Sequence, residues 1–158
     1  MSFPKAGTFG TVITPTITVS ASPDYSSGDS MGSKITLPNV ARVSGGLSKL
    51  QTITILDNSN QKPAGTLLFF NADPAAATIT DNAAFAFSTD ASKVIATHTI
   101  AAADYVTIDS KAVLCYGGIN KLVQPVGTSL YVAWVVTTAS NLAATTDIQI
   151  AFGFEYIN

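Results

Sequence analysis

One arginine, one glutamate, one histidine, one cysteine and one tryptophan are all that this 158-residue chain contains of those five residue types. Each scarcity closes off a class of function. With Cys115 alone there is no intrachain disulfide, so the fold must stand on packing. With His98 alone, any histidine-based catalytic apparatus would have to pass through that one side chain. The basic residues (Lys5, Lys34, Arg42, Lys49, Lys62, Lys93, Lys111 and Lys121) are scattered singly. They form no linear cluster for phosphate contacts, so neither nucleic acid nor an anionic membrane is an expected partner. No run approaches the roughly 20 apolar residues of a membrane span. Residues 1–20 also lack the apolar stretch of a signal peptide, so synthesis in a cytoplasm is expected.

Charge is the most conspicuous shortage. Charged residues make up 11% of the chain, against about 25% in an ordinary soluble domain. Thr, Ser, Asn and Asp must keep the surface wet instead. A surface so thinly charged is poorly protected against association, which suits a chain that works docked against neighbours.

What the sequence does contain is period-two alternation. From Asp147 to Tyr156 every even position is apolar and the odd ones are polar or small, the pattern of a strand with one face in a core. Gln51–Ile55 and Ile13–Val19 alternate likewise. Leu130–Val136 is apolar throughout and rich in β-branched and aromatic residues, which predicts a strand buried on both faces. Shorter strands are expected at Lys34–Leu37, Thr66–Phe70, Lys93–Ile100, Tyr105–Ile108, Ala112–Tyr116 and Lys121–Val126. Gly45-Gly46 and Gly117-Gly118 mark turns between them. Pro15 and Pro125 cannot donate to a central ladder and point to edges or arms. One stretch favours helix, Thr80–Phe87, where Asp81 offers a capping oxygen ahead of good helix formers.

About ten short strands with no βαβ rhythm predict an all-β fold, a jelly-roll-like antiparallel β-sandwich; an immunoglobulin-type sandwich is the alternative. Residues 1–30 differ from the remainder. Phe3, Phe9, Val12, Ile13, Ile17 and Val19 are apolar, Pro4 and Pro15 keep the chain extended, and the Ser/Gly/Asp-rich stretch 21–32 follows. This predicts an N-terminal arm and joint over 1–30 leading a sandwich domain over 31–158, with those six side chains binding a partner's sheet edge. An ordinary first strand with a frayed end fits the same residues.

Candidates for chemistry are few, and no cofactor is expected. His98 sits among Val94, Ala96 and Ile100 on one strand face and reads as a packed histidine. Cys115, in Val113-Leu114-Cys115-Tyr116, reads as a buried small hydrophobe. The nine aspartates fall mostly at turns, where they bond their own backbone. Asp24 and Asp29 could flank a calcium ion, but their spacing is not that of an EF-hand. Two turn aspartates could converge as a hydrolase pair, although nothing in their spacing favours it. Trp134 is expected in the core, and Tyr25 and Tyr105 at the surface. The expectation is a binding protein and not an enzyme.

The run from Gly32 to Gly46, then Leu50–Asp57, Leu67–Pro74, Thr80–Phe85, Ile100–Tyr105, Gly127–Tyr131 and Ile148–Phe154, resembles in its order small structural proteins of tailed bacteriophages. The resemblance covers most of the chain from about Thr14 onward. It implies a capsid decoration (cement) protein: a virion component on the capsid exterior, bound to the major capsid protein, stabilising the shell and forming a homotrimer. It carries no catalytic residues. A carbohydrate-binding sandwich of a phage head fibre or tail is the alternative.

Overall fold

The computed structural model describes residues 10–157, and its regular elements are ten strands and two short 3₁₀ turns. The strands are β1 (Gly10–Ile13), β2 (Ile35–Leu37), β3 (Ser48–Asp57), β4 (Gly65–Phe70) and β5 (Val94–Ile100). There follow β6 (Val106–Ile108), β7 (Lys111–Tyr116), β8 (Lys121–Val123), β9 (Leu130–Val136) and β10 (Ile148–Tyr156). All pairings between them are antiparallel.

Two sheets face each other. The first runs β1-β10-β3-β7-β6 and the second β2-β9-β4-β5. β7 and β8 pair with successive stretches of β3 on one side, Ile53–Asp57 and then Ser48–Leu50, so they act as one interrupted strand. Counted that way, and with β6 set aside as an addition, the first, eighth, third and sixth strands form one sheet. The second, seventh, fourth and fifth form the other. That order is the jelly roll.

Alternation selects the core. β10 turns Ile148, Ile150, Phe152 and Phe154 inward; β4 contributes Leu67 and Phe69, and β9 Val132, Trp134 and Val136. Phe69 meets Phe152 edge to face across the two sheets, with centroids 5.9 Å apart. β3 buries Ser48 and Leu50, then shifts phase and buries Ile53, Ile55 and Asp57. The shift is a register irregularity opposite Gly153 and Phe154, with Gln51 as the extra residue. Gly65 is required where it stands, because a Cβ there would collide with the Val135 carbonyl and the Trp134 indole nitrogen.

The long excursion between β4 and β5 lies over the outer face of the second sheet. Ile79 joins Leu68, Phe70 and Ala133 in a separate small core, with Ala77 and Phe85 packed against it. This is why β9 reads as apolar throughout: one face lies in the main core and the other beneath this cover. The helix expected at Thr80–Phe87 does not form. The segment makes bridges instead, Ser30 with Asp81, Asp29 with Ala84 and Thr78 with Ala86. The Asp81 carboxylate is taken by the Tyr25 hydroxyl and the Gly32 amide and caps no helix. The 3₁₀ turns lie at Asp90–Lys93 and Ala102–Asp104.

The leading segment also departs from expectation. β1 pairs with β10 of the same chain as the outer strand of the first sheet, and Ile17 and Val19 are buried in the main core. Residues 28–31 then run along β9, through Gly28 N to Val136 O at 2.8 Å and Met31 N to Trp134 O at 2.8 Å. From residue 10 onward the segment packs on the body of the domain, with bends and turns over 21–33. Packing Ile17, Val19, Tyr25 and Met31 into the core removes more apolar surface from water than a solvated linker could. The strand expected over Ile13–Val19 lies earlier, at Gly10–Ile13, and residues 14–20 form no strand although Ile17 and Val19 are buried.

Candidate functional site

The residues with most chemical potential are placed for structure. His98, on β5, is half-buried and stacks edge to face on Tyr116, centroids 4.6 Å apart. Its Nε2 is buried and has no hydrogen-bond partner among the described residues. Burial, and then the charge of Lys121, hold the imidazole below its ordinary pKa, against a smaller opposing pull from Asp104. Cys115 is exposed, contrary to expectation. Alternation in β7 buries Ala112 and Leu114, which leaves Val113 and Cys115 on the outer face. Cys115 lies opposite Thr54, whereas Tyr116, which carries the His98 contact, lies opposite core residue Ile53. The two side chains therefore belong to opposite faces of the sheet.

Four of the aspartates clip backbone turns. Buried Asp57 accepts from the Ser59 and Lys62 amides, Asp90 from those of Ala76 and Ala77, and Asp147 from those of Ala143 and Ala144. Lys93 Nζ stands 2.8 Å from Asp90 and, with the two amides, holds that carboxyl below its usual range. Asp29 accepts from the Ser26 amide at 2.7 Å. Among the described residues no three His, Cys, Asp or Glu side chains gather as a metal site.

The tyrosines expected at the surface are inside. Tyr25 and Tyr105 are both buried, the first with its hydroxyl between the Ser20 amide and Asp81, the second donating to the Pro63 carbonyl at 3.0 Å. Their phenols are desolvated by this burial, which raises both pKa values. Trp134 is in the core as expected. The proposed partner-binding set divides. Phe3 and Phe9 lie outside the described residues, Ile17 and Val19 are core, Ile13 packs against the core, and Val12 alone is substantially exposed, at 73%.

The features suited to binding are two surfaces that carry little charge. One is the outer face of the first sheet, which none of the described chain covers, unlike that of the second. Its outward rows run Val12–Gly153–Thr52, then Ala151–Thr54–Cys115, then Gln149–Leu56–Val113–Val106. These rows contain no charged residue. Glu155 and Lys49 flank them at one end and Lys111 at the other, beside exposed Ile108. A Cβ at Gly153 would strike Thr52 Oγ1, so the threonine lies flat across the glycine. The only relief is shallow, including a depression of about 130 Å³ beside Thr14, Leu56 and Gln149.

The second surface is the end of the sandwich where the β2–β3 loop, the β8–β9 loop and the end of β10 meet. Gly45 N bonds to the Gly127 carbonyl at 3.0 Å and Ile157 N to the Leu47 carbonyl at 3.1 Å, which draws these segments together. Val43, Leu47, Val126 and Ile157 are exposed there; Val126 reaches 66% and Val43 65%. Leu122, opposite Lys49, joins the two surfaces. A hollow of about 460 Å³ opens among Arg42, Val43, Gly46, Leu47, Tyr156 and Ile157. Sequence reasoning missed this end because its aliphatics are isolated loop residues with no period. The bare sheet was partly legible, since the small and polar odd positions of β10 allow either solvent or an interface.

No protein-family model matches the chain, and a search of curated proteins finds no match. Among the described residues no helix is long and apolar enough to cross a membrane.

Proposed function

We propose that the protein is a capsid decoration (cement) protein of a tailed bacteriophage, which binds the major capsid protein on the outside of the shell and stabilises it. The observation that carries the proposal is the apolar end of the sandwich. Four exposed aliphatics gather at this end, three of them (Val43, Leu47 and Ile157) around one hollow, in loops that the backbone hydrogen bonds hold together. Scattered apolar residues are ordinary on a surface, whereas a contiguous group marks a place of contact. The scarcity of charge points the same way, and the resemblance of the sequence to phage structural proteins supplies the partner. Several copies held together would add modest single contacts into firm attachment, the benefit of multivalency.

The carbohydrate-binding alternative needs an exposed aromatic platform. Trp134, Tyr25 and Tyr105 are buried, and Phe87 is the one large aromatic substantially exposed among the described residues. The geometry therefore favours a protein partner.

The test is binding to capsids stripped of decoration. Wild-type protein should bind them and raise the temperature at which the shells open. Val43→Asp and Val126→Asp, both at exposed loop positions, should leave the fold intact and weaken binding by about tenfold or more each, the range of a central interface residue. Undiminished binding by both folded variants would remove this end from the interface. No binding by wild type would refute the capsid assignment.

A further inference from the structure

We infer that the hollow at the end of the sandwich is a docking site for the chain's own residues 1–9, which seat Phe9 and then Phe3 in it. The inference does not need the capsid assignment. Leu122 and Val126 do not line the hollow and stay exposed for an outside partner.

Direction comes first. β1 is antiparallel to β10, with Ile13 opposite Phe152 and Gly10 opposite Glu155. Traced backwards from Gly10, the chain therefore heads for the end of β10. On its other side β10 stays paired through Tyr156 with Ser48, and the Ile157 amide bonds to the Leu47 carbonyl. On the β1 side the described pairing stops at Glu155. The preceding residues thus arrive where Tyr156 and Ile157 have no paired strand among the described residues. Continuing the register by one residue sets Phe9 opposite Tyr156.

Alternation fixes the row to which that position belongs. Gly10 and Val12 are exposed, Thr11 and Ile13 are half-buried, and Ile13 packs against the main core. Phe9 shares the row of Thr11 and Ile13. The matching row of β10 is Phe152, Phe154 and then Tyr156, whose hydroxyl donates to the Asn39 carbonyl at 3.0 Å. Tyr156 is itself one wall of the hollow, with Val43, Leu47 and Ile157 among the others. The register position of Phe9 is therefore at its mouth.

Reach and composition agree with the direction. Neighbouring strands lie about 4.8 Å apart, so Leu47, in line with β3, is roughly 10 Å across the sheet from the line of β1. The six steps from Phe9 back to Phe3 span up to about 20 Å, and Gly7 between them permits a sharp turn. The hollow, about 460 Å³, lies within the roughly 300–1,000 Å³ of pockets that enclose ring-bearing ligands. Residues 1–9 carry Met1, Phe3 and Phe9 and one charged side chain, Lys5. Seating the phenylalanines against Val43, Leu47 and Ile157 takes apolar surface of both out of water. Tethering favours this occupant over any other chain. A segment joined to its site by a few residues has an effective concentration in the millimolar range, far above that of a second copy in micromolar solution.

The test uses the full chain alone, without capsids, so its outcome is separate from that of the proposed function. In nuclear magnetic resonance spectra of the wild type, the Phe9 ring should show Overhauser contacts with methyl groups of Val43, Leu47 or Ile157. Contacts with none of them would overturn the inference. Replacing both rings, Phe3→Ser with Phe9→Ser, should shift the amide signals of Gly46, Leu47 and Ile157 while those of β4 and β9 stay in place and show the fold retained. Wall signals that also stay in place would overturn it. Accessibility gives a second measure. Val43→Cys, made together with Cys115→Ser, puts a single thiol in the wall at an exposed loop position. Its reaction with a thiol reagent should run at least tenfold faster once both phenylalanines are replaced, and equal rates would count against the seat. The rate with both phenylalanines present should not depend on protein concentration. A rate that falls as concentration rises would give the hollow to a second copy's residues and overturn docking within one chain.

Discussion

The Tyr25 hydroxyl accepts from the Ser20 amide at 2.7 Å and donates to Asp81, whose carboxylate also takes the Gly32 amide at 2.7 Å. Asn82 adds a bond to the Pro23 carbonyl at 2.7 Å. This cluster ties the leading segment to the cover of the second sheet. Tyr25→Phe removes the hydroxyl and leaves the carboxylate and the Ser20 amide short of a partner, at a cost of about 1–3 kcal/mol. Urea unfolding should show that loss at an unchanged slope; a variant as stable as wild type would mean the bonds are replaced by water. Alkali acts on the same group and its relatives. Burial raises the phenol pKa of Tyr25 and Tyr105 and pushes Tyr116 up to about 12. A phenol whose folded pKa lies above its ordinary value of about 10 holds its proton more firmly when folded. Its stabilising effect is therefore whole below pH 10 and declines as pH rises beyond it. An absorbance titration should show Tyr25 and Tyr105 ionising only as the protein unfolds. Smooth ionisation of all five tyrosines near pH 10 with the fold intact would contradict their burial.

Among the elements, β9 and the segment 80–87 contrast most. β9 was legible because a strand buried on both faces must be apolar at every position, whatever covers it. The helical signal of residues 80–87 misled because it is local and weak. A short capped stretch gains little alone, whereas bridges to Asp29 and Ser30 and burial of Ile79 and Phe85 against the second sheet gain more. The two cores should differ in weight. Phe69→Ala opens the main core where Phe69 meets Phe152 and should cost about 3–5 kcal/mol. Ile79→Ala, at the margin of the small core, should lie near the lower bound for such truncations, about 2 kcal/mol. Equal losses in parallel urea titrations would show the cover to be as integral as the sandwich itself.

At the scale of the whole molecule, the leading segment completes the jelly roll. Without residues 1–20 the first sheet loses β1, and the core loses Ile17 and Val19. Each buried aliphatic contributes about 1.5–3 kcal/mol, so the truncated chain should be less stable by about 3–6 kcal/mol before the lost strand pairing is counted. A truncated protein with wild-type thermal stability would show that the body folds without this segment.

The sequence by itself determined the all-β class, the place of nearly every strand and the core positions of β9 and β10. Those depend on alternation, a local property that a strand carries wherever it packs. Only the tertiary structure decided that Cys115 faces outward, that Tyr25 and Tyr105 are buried, and that residues 10–30 belong to the body. It also decided that one sheet is covered while the other is bare among the described residues, and that isolated aliphatics from three segments meet at one end. Each of these depends on which distant segments come together. Period-two patterning marks a strand's two faces but not which of them a loop, a core or another molecule will cover.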